Sequence, residues 1–376
     1  MTYSGEPEVE SSPAKKARTS PANSNAVSLS PRQWLIVGAI MLALIVLAPL
    51  LWQRIEPFEP GADYRIPYKL GSDYWLYARH SGIVREQQRI PLIGDSVIWG
   101  HYVPPDQTLS HHLNAALGSE QFANLGLDGT HPAALGGLVE HYAGKISGRS
   151  VIIHFNPLWI TSAKHDLQTT KEFHFNHPKL VPQFKTNIPC YKASTASRLK
   201  TAIGHHIPFL AWTSHLRIAY FGGADLQRWT LEDPYACPVT TLTSGLPDPK
   251  SAAPDEGSSW LERGGKQRRI GWVDLDGSLQ WRFFRNTVER VMDRGGKVFV
   301  LLGPYNEHML DAESAATYAQ IKTEIEAWLK EAKIPHLIPP PLPSALYADS
   351  SHPLAEGYAL LARQLLKAPS FQSFAH

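Results

Sequence analysis

Two short motifs far apart in the chain contain the side chains of a serine nucleophile and its activating groups. The first is Gly94-Asp95-Ser96, and the second is Asp349-Ser350-Ser351-His352. A serine hydroxyl becomes nucleophilic when a histidine takes its proton, and a carboxylate holds that histidine in the required tautomer. Because the aspartate and the histidine share one loop, the carboxylate can accept from the ring Nδ1–H while Nε2 faces the serine. The spacing therefore points to acyl-transfer chemistry.

Two further motifs add hydrogen-bond donors, which acyl transfer needs for the negative charge that develops on the carbonyl oxygen. One is the glycine-rich turn Asn124-Leu125-Gly126-Leu127-Asp128-Gly129, and the other is Asn156, directly after the apolar run 151–155. Taken singly, each motif has an ordinary structural explanation as a turn, a helix cap or a helix start. Their joint order, with 30 residues from Ser96 to Gly126 and 30 more to Asn156, favours a functional site.

The motifs follow predicted strands, which brings them to one edge of a sheet. Short apolar runs predict strands at 89–93, 122–125, 151–155, 297–302 and 336–338. Helical spacing of apolar residues predicts helices at 109–117, 132–146, 279–294, 315–332 and 353–366. This alternation indicates βαβ units and a mostly parallel sheet, in which ligands and catalytic groups collect at the carboxyl ends of the strands.

The four motifs, in this order, resemble the four sequence blocks of the SGNH, or GDSL-like, hydrolase superfamily. The resemblance extends from about residue 89 to residue 366 and is interrupted between residues 158 and 270. It implies an α/β fold of the flavodoxin-like type, a three-layer α/β/α sandwich with a mostly parallel sheet and no cofactor. It also implies Ser96 as the nucleophile, His352 as the base and Asp349 as the group that orients the base.

The same resemblance implies an oxyanion hole made of the Ser96 and Gly126 backbone N–H groups and the Asn156 side chain. The third block departs from the usual pattern, because Asn156 is followed by Pro157-Leu158-Trp159, whereas Asn-Asp or Asn-Glu is more common in the family. The loop 303–307, after the predicted strand 297–302, is expected in the wall of the pocket.

The hydrolase-like domain is predicted to occupy residues 89–376, with a large insertion at about 158–270. The insertion breaks the strand–helix pattern and contains both cysteines. Residues 53–88 are predicted to be a stalk and a lead-in to the domain. If the domain lies outside the cytoplasm, as the N-terminal segment described next suggests, Cys190 and Cys237 are expected to form a disulfide. Two free thiols are the alternative.

Residues 34–52 carry no charge and predict a membrane-spanning signal anchor. A core helix is seldom apolar on every face, and no small-residue cleavage site follows the run, so a core helix and a cleaved signal peptide are less favoured. Lys15, Lys16, Arg18 and Arg32 precede the anchor. This bias favours a cytoplasmic N-terminus and an extracytoplasmic domain. Residues 1–31, rich in Ser and Pro, are predicted to be a disordered tail.

Composition excludes several other classes of protein. The 376 residues are 43% hydrophobic and carry a net charge of +2, which argues against a nucleic-acid partner bound through a dense basic surface. Two cysteines exclude a four-thiolate zinc site. His165, His174 and His177 lack a carboxylate or a cysteine at ligand spacing, so neither a metal nor a cofactor is expected.

The sequence therefore predicts a membrane-anchored serine esterase or O-acyltransferase that acts on acyl esters of a cell-envelope or exported glycan. The polysaccharide-modifying branches of the superfamily, which the anchored chain resembles, suggest this substrate class. A non-catalytic SGNH-like scaffold in a polysaccharide assembly complex is the second hypothesis, and a lipid esterase is the third. The sequence specifies neither the acyl group, nor the acceptor, nor the oligomeric state.

Overall fold

The computed structural model describes residues 29–146, 148–248 and 257–375. Apart from residues 29–31, the tail that was predicted to be disordered lies outside these ranges. The chain divides into two compact units, Met1–Leu47 and Ala48–His376. The second unit contains all the motifs described above.

Helices and strands alternate through the second unit. The strands are β1 (Ile90–Gly94), β2 (Phe122–Gly126), β3 (Ser150–Phe155), β4 (Lys297–Leu302) and β5 (His336–Leu337). The helices before the insertion are α1 (Pro31–Ile55), α2 (Tyr74–Glu86), α3 (Ser96–Trp99), α4 (Leu109–Leu117) and α5 (Pro132–His141). The insertion contributes α6 (Thr195–Gly204), α7 (Pro208–Tyr220), α8 (Leu226–Glu232) and α9 (Pro238–Leu242). After it come α10 (Leu279–Asp293), α11 (Ala312–Glu331), α12 (Ala355–Lys367) and α13 (Pro369–Ala375).

The five strands form one parallel sheet with the order β2-β1-β3-β4-β5. This is the flavodoxin-like order, and it confirms the predicted fold class. The order reverses between β1 and β3, so the loops after β1, β2 and β3 are neighbours at the carboxyl edge. Ser96, Gly126 and Asn156 lie at the ends of these three strands.

Alternation along the buried strands produces two cores, one on each face of the sheet. In β4, Val298, Val300 and Leu302 belong to the core that also contains residues of α2, α5, α10 and α11. Phe299 and Leu301 belong to the other core, with residues of α4, α12 and α13. Helices therefore cover both faces, and the three layers hold the carboxyl edge of the sheet rigidly beneath the loops.

Helix α1 is long and apolar enough to cross a membrane by its length and composition. Its most apolar 18-residue window has a mean hydropathy of 2.7, and few of its residues are buried within the protein. It includes the predicted segment 34–52 and fits a single-pass membrane anchor.

Two predictions about the chain outside the sheet are wrong. The predicted stalk belongs to the folded unit, because Glu56 and Arg65 are buried and α2 packs against the sheet. The disulfide is absent, and both thiols are free. Cys190 is enclosed in a small apolar core beside Leu167, whereas Cys237 is exposed at the N-cap of α9.

Candidate functional site

A sharp turn after β1 presents the serine of the first motif. The Asp95 carboxylate caps α3 by accepting from the Val97 N–H at 3.0 Å, so the chain turns from strand to helix within one residue. A Cβ on Gly94 would lie 2.6 Å from Ile98 Cγ1, which is why the position requires glycine. Ser96 is consequently the first residue of α3, at the carboxyl edge of the sheet.

Ser96, His352 and Asp349 form a continuous chain of hydrogen bonds. Ser96 Oγ lies 2.7 Å from His352 Nε2, and His352 Nδ1 lies 2.8 Å from both carboxylate oxygens of Asp349. An ionised carboxylate only accepts, so Nδ1 carries the proton and donates it. The Nε2 lone pair is therefore free to accept from the serine hydroxyl, which is the arrangement needed to make Ser96 a nucleophile.

The electrostatic environment of His352 and Asp349 favours an ionised Asp349 carboxylate. Burial by itself would lower the pKa of His352, but the hydrogen bond and the negative charge of Asp349 outweigh it, and the pKa of His352 lies above its ordinary value. Burial would raise the pKa of Asp349, yet the His352 ring and the backbone N–H groups of Ser351 and His352 lower it well below its usual range. Asp349 thus stays ionised, and its charge lies where it would stabilise an imidazolium at His352.

The loop after β4 holds the Asp349 turn in place. The Asn306 backbone N–H donates to the Ser350 carbonyl at 2.9 Å, and the Asn306 amide donates to the Asp349 carbonyl at 3.1 Å. From the opposite side, the Tyr102 hydroxyl donates to Asp349 Oδ2 at 3.2 Å. The place of the 303–307 loop in the pocket wall remains a prediction. The hydrogen bonds of Asn306, within this loop, hold the turn that carries the Asp349 carboxylate.

Asn156 lies beside Ser96 and retains a donor for an oxyanion. One Nδ2 hydrogen donates to Asp95 Oδ2 at 2.7 Å, and the Trp159 indole N–H donates to the same oxygen at 2.9 Å. In the part of the chain that the structure describes, the second Nδ2 hydrogen of Asn156 and the Ser96 backbone N–H have no acceptor. Both groups are therefore available to a ligand.

The structure corrects the role expected for Gly126. Its N–H donates to Asn124 Oδ1 at 2.9 Å, so it is already used within the protein. A Cβ on Gly126 would lie 2.4 Å from the Trp99 backbone nitrogen, so this glycine permits α3 to approach β2 closely. Gly129, three residues later and at φ 70°, has no acceptor for its N–H among the described residues and replaces Gly126 as the candidate donor.

A buried contact between His154 and Asp95 lies beneath the serine turn. His154 Nε2 donates to the Gly303 carbonyl at 2.9 Å, and its Nδ1 faces Asp95 Oδ1 at 3.3 Å. Burial would raise the pKa of Asp95, but His154 and Asn156 together lower it. Asp95 therefore remains a charged anchor for the serine turn and for Asn156.

Sequence patterns did not identify Tyr102, His154 or Gly129 as parts of the site. Tyr102 and His154 act through contacts that cross from one strand or loop to another, which no local motif records. Gly129 stands in the quoted turn, and its position at the end of the glycine-rich run is the sequence feature that could have selected it.

Comparisons with known proteins give no match that bears on this site. No protein-family model matches the sequence, and no curated protein matches it either.

Proposed function

We propose that the protein is a serine-dependent esterase or O-acyltransferase. The observation that carries the proposal is the hydrogen-bonded chain from Ser96 through His352 to Asp349, with Ser96 Oγ 2.7 Å from His352 Nε2. The free donors of Ser96 and Asn156 beside that hydroxyl support it, because acyl transfer requires both an activated nucleophile and an oxyanion site.

In the acylation step, Ser96 Oγ attacks the carbonyl carbon of an ester while His352 Nε2 takes the hydroxyl proton. The carbonyl oxygen becomes an oxyanion that accepts from the Ser96 N–H and the Asn156 amide, with the Gly129 N–H as the third donor. Collapse of this intermediate breaks the ester C–O bond, and His352 returns its proton to the departing alcohol. The acyl group remains on Ser96 as a new ester.

In the deacylation step, a water molecule or a hydroxyl of an acceptor attacks the acyl-Ser96 carbonyl. His352 takes the proton of the attacking group and then donates it to Ser96 Oγ as the acyl–serine bond breaks. Water yields a carboxylic acid, and an alcohol yields a transferred ester. The two activities share every step except the identity of the attacking hydroxyl.

We further propose that α1 is a single-pass anchor with a cytoplasmic N-terminus and an extracytoplasmic domain. The support is the apolar composition of the helix and the excess of Lys and Arg before it. An extracytoplasmic location favours acyl esters of a cell-envelope or exported glycan as substrates. Alkaline phosphatase fused after the full chain should be active, and a fluorescent protein that folds only in the cytoplasm should stay dark there. The reverse result would overturn the orientation.

The activity is tested by incubating the full-length protein with p-nitrophenyl acetate and longer-chain esters, with and without glycan acceptors. Wild type is expected to release p-nitrophenol, and Ser96→Ala is expected to release none above background. Acetylated glycan in the wild-type reaction identifies transfer, whereas free acetate identifies hydrolysis. A correctly folded wild type without turnover on any of these esters would favour the scaffold hypothesis instead.

A further inference from the structure

A second histidine–aspartate pair lies beside the Ser96–His352–Asp349 chain and has no part in the steps above. His101 Nδ1 and Asp128 Oδ1 are 2.7 Å apart. The His101 backbone N–H donates to the Ser96 carbonyl at 3.1 Å, and the His101 ring centroid lies 5.5 Å from that of His352. The pair is therefore fixed to the same turn as the nucleophile.

The hydrogen bond between the two side chains determines what His101 offers to a ligand. The carboxylate of Asp128 can only accept, so His101 Nδ1 donates to it. In the neutral ring, Nε2 is then an acceptor, and it has no hydrogen-bond partner in the described ranges. The side chains of His101 and Asp128 are 17% and 21% exposed, so the pair reaches solvent and is not a core cross-link.

Ring contacts place His101 beside His352 and Tyr102 at the Ser96 site. The Tyr102 ring lies 4.8 Å from His101 and 5.3 Å from His352, so the three rings form one continuous wall. Asp128 also precedes Gly129, the candidate oxyanion donor. A molecule that attacks the acyl group on Ser96 therefore approaches along a surface that includes His101.

We propose that His101, oriented by Asp128, binds a second hydroxyl of a polyhydroxy acyl acceptor, next to the hydroxyl that reacts. This inference rests on the proposed function. His352 takes the proton of the attacking hydroxyl, while His101 accepts a hydrogen bond from the neighbouring one and transfers no proton. The acceptor class is thus a vicinal diol, such as a sugar ring presents, rather than water or a simple alcohol.

The test compares two acceptors of similar size, 1,2-propanediol and 1-propanol, at equal concentration with p-nitrophenyl acetate as donor. Gas chromatography of the two acetate esters gives a transfer ratio for each enzyme variant. Wild type should favour the diol by about two- to tenfold, which is the range that one hydrogen bond supplies. In His101→Ala and in His101→Asn, which retains an N–H for Asp128 but has no atom at the Nε2 position, the ratio should fall to about that of the uncatalysed reaction.

The matched control is His111→Ala. His111 Nδ1 also bonds an aspartate, Asp63 Oδ2, at 3.0 Å, and it contacts none of the Ser96 site residues in the described part of the chain. This variant should keep the wild-type ratio. A wild type without diol preference, or His101 variants that keep it, would overturn the inference.

Labelling of Ser96 by a fluorophosphonate separates the possible failures. Without labelling or turnover in wild type, the proposed function itself fails. With labelling and turnover intact but no effect of His101 on the ratio, only the acceptor site fails. Should His101→Ala lose labelling through misfolding, His101→Asn decides the outcome, because it can keep the bond to Asp128.

Discussion

His352 and His215 are both buried beside carboxylates, and they differ in what their second ring nitrogen contacts. His352 donates to Asp349 through one nitrogen and accepts from the Ser96 hydroxyl through the other. His215, in α7, contacts carboxylates on both sides, with Asp73 at 2.6 Å from Nδ1 and Glu56 at 2.9 Å from Nε2. The first histidine can exchange a proton with a nucleophile, and the second cannot.

The surroundings of the two histidines also differ in whether hydrogen-bond donors are left unused. Around His215, the Glu56 carboxylate also accepts from Arg79 and from the Tyr220 hydroxyl, both at 2.5 Å. Burial would lower the pKa of His215, but Asp73 and Glu56 outweigh it and raise the pKa to about 9. Every charge there has a partner, so the cluster is a structural cross-link, whereas the Ser96 site keeps unused donors. Unused donors beside a histidine, more than burial or charge, distinguish the candidate functional site from the His215 cluster.

Replacing His352 should produce the largest loss of activity with little loss of stability. His352→Ala removes the base, and kcat should fall by roughly 10⁵–10⁶ with p-nitrophenyl acetate. The midpoint of thermal unfolding should change little, because the Asp349 side chain is 34% exposed and keeps its bonds from the backbone N–H groups of residues 351 and 352. A variant that retains more than a hundredth of wild-type turnover would exclude His352 as the base.

Asp349→Asn should reduce kcat by roughly 10⁴, because the ring loses its required tautomer and the charge that stabilises the imidazolium. The pH profile supplies a second readout. His352 must be neutral to act as a base, and its raised pKa places the acid limb of kcat/KM above pH 6.5 in wild type. Without the Asp349 charge, burial lowers that pKa, so the limb should move to lower pH. A limb that stays in place would contradict the assignment.

His215→Leu should affect stability rather than chemistry. It leaves the charge of Asp73 buried without a cation and Glu56 paired with Arg79 alone. The cost in the free energy of unfolding should be roughly 3–5 kcal/mol. Because the folded-state pKa of His215 is raised to about 9, its stabilising effect is complete below its unfolded pKa and is lost as pH rises through about 9.

Urea titrations of the detergent-solubilised protein at pH 6, 8 and 9.5 measure this dependence. Wild type should lose stability across the series, and His215→Leu should lose much less. The kcat per folded molecule should be the same in both proteins. A tenfold lower kcat in His215→Leu would remove the distinction between the two histidines.

Asn156→Ala should have a smaller effect, lowering kcat by roughly 10²–10³ through the loss of one oxyanion donor. KM should change little, because the oxyanion forms only after substrate binds. A comparison variant is Asn306→Ala, which removes a buried amide that holds the Asp349 backbone and should disturb the base rather than the oxyanion site. If Asn156→Ala leaves kcat unchanged, the oxyanion role is wrong.

The sequence predicted the sheet and the proximity of Ser96, His352 and Asp349, because local patterns encode both. Every residue of β4 after Lys297 is buried, and the Ser96, Asp349 and His352 motifs lie at loops whose positions the parallel sheet dictates. Helix α2 escaped prediction because His80, Ser81 and Gly82 are buried in it and blur its apolar face.

Features that depend on contacts between distant segments could not be predicted. Glu56, Asp73 and His215 meet only after the insertion folds back onto the residues that follow α1. Gly126 and Gly129 are equivalent in a sequence pattern, and only the bond from Gly126 to Asn124 separates their roles. The disulfide expectation failed for the same reason, since it used the compartment of the cysteines and not their positions.

The most direct test of the central claim is covalent labelling of the full-length protein with a fluorophosphonate, followed by peptide mass spectrometry. The account predicts one modified residue, Ser96, and no modification in Ser96→Ala or in wild type denatured beforehand. His352→Ala should label at least a thousand times more slowly, because the serine loses its base. Labelling at another serine, or labelling of Ser96 at the same rate without His352, would contradict a His352-activated nucleophile.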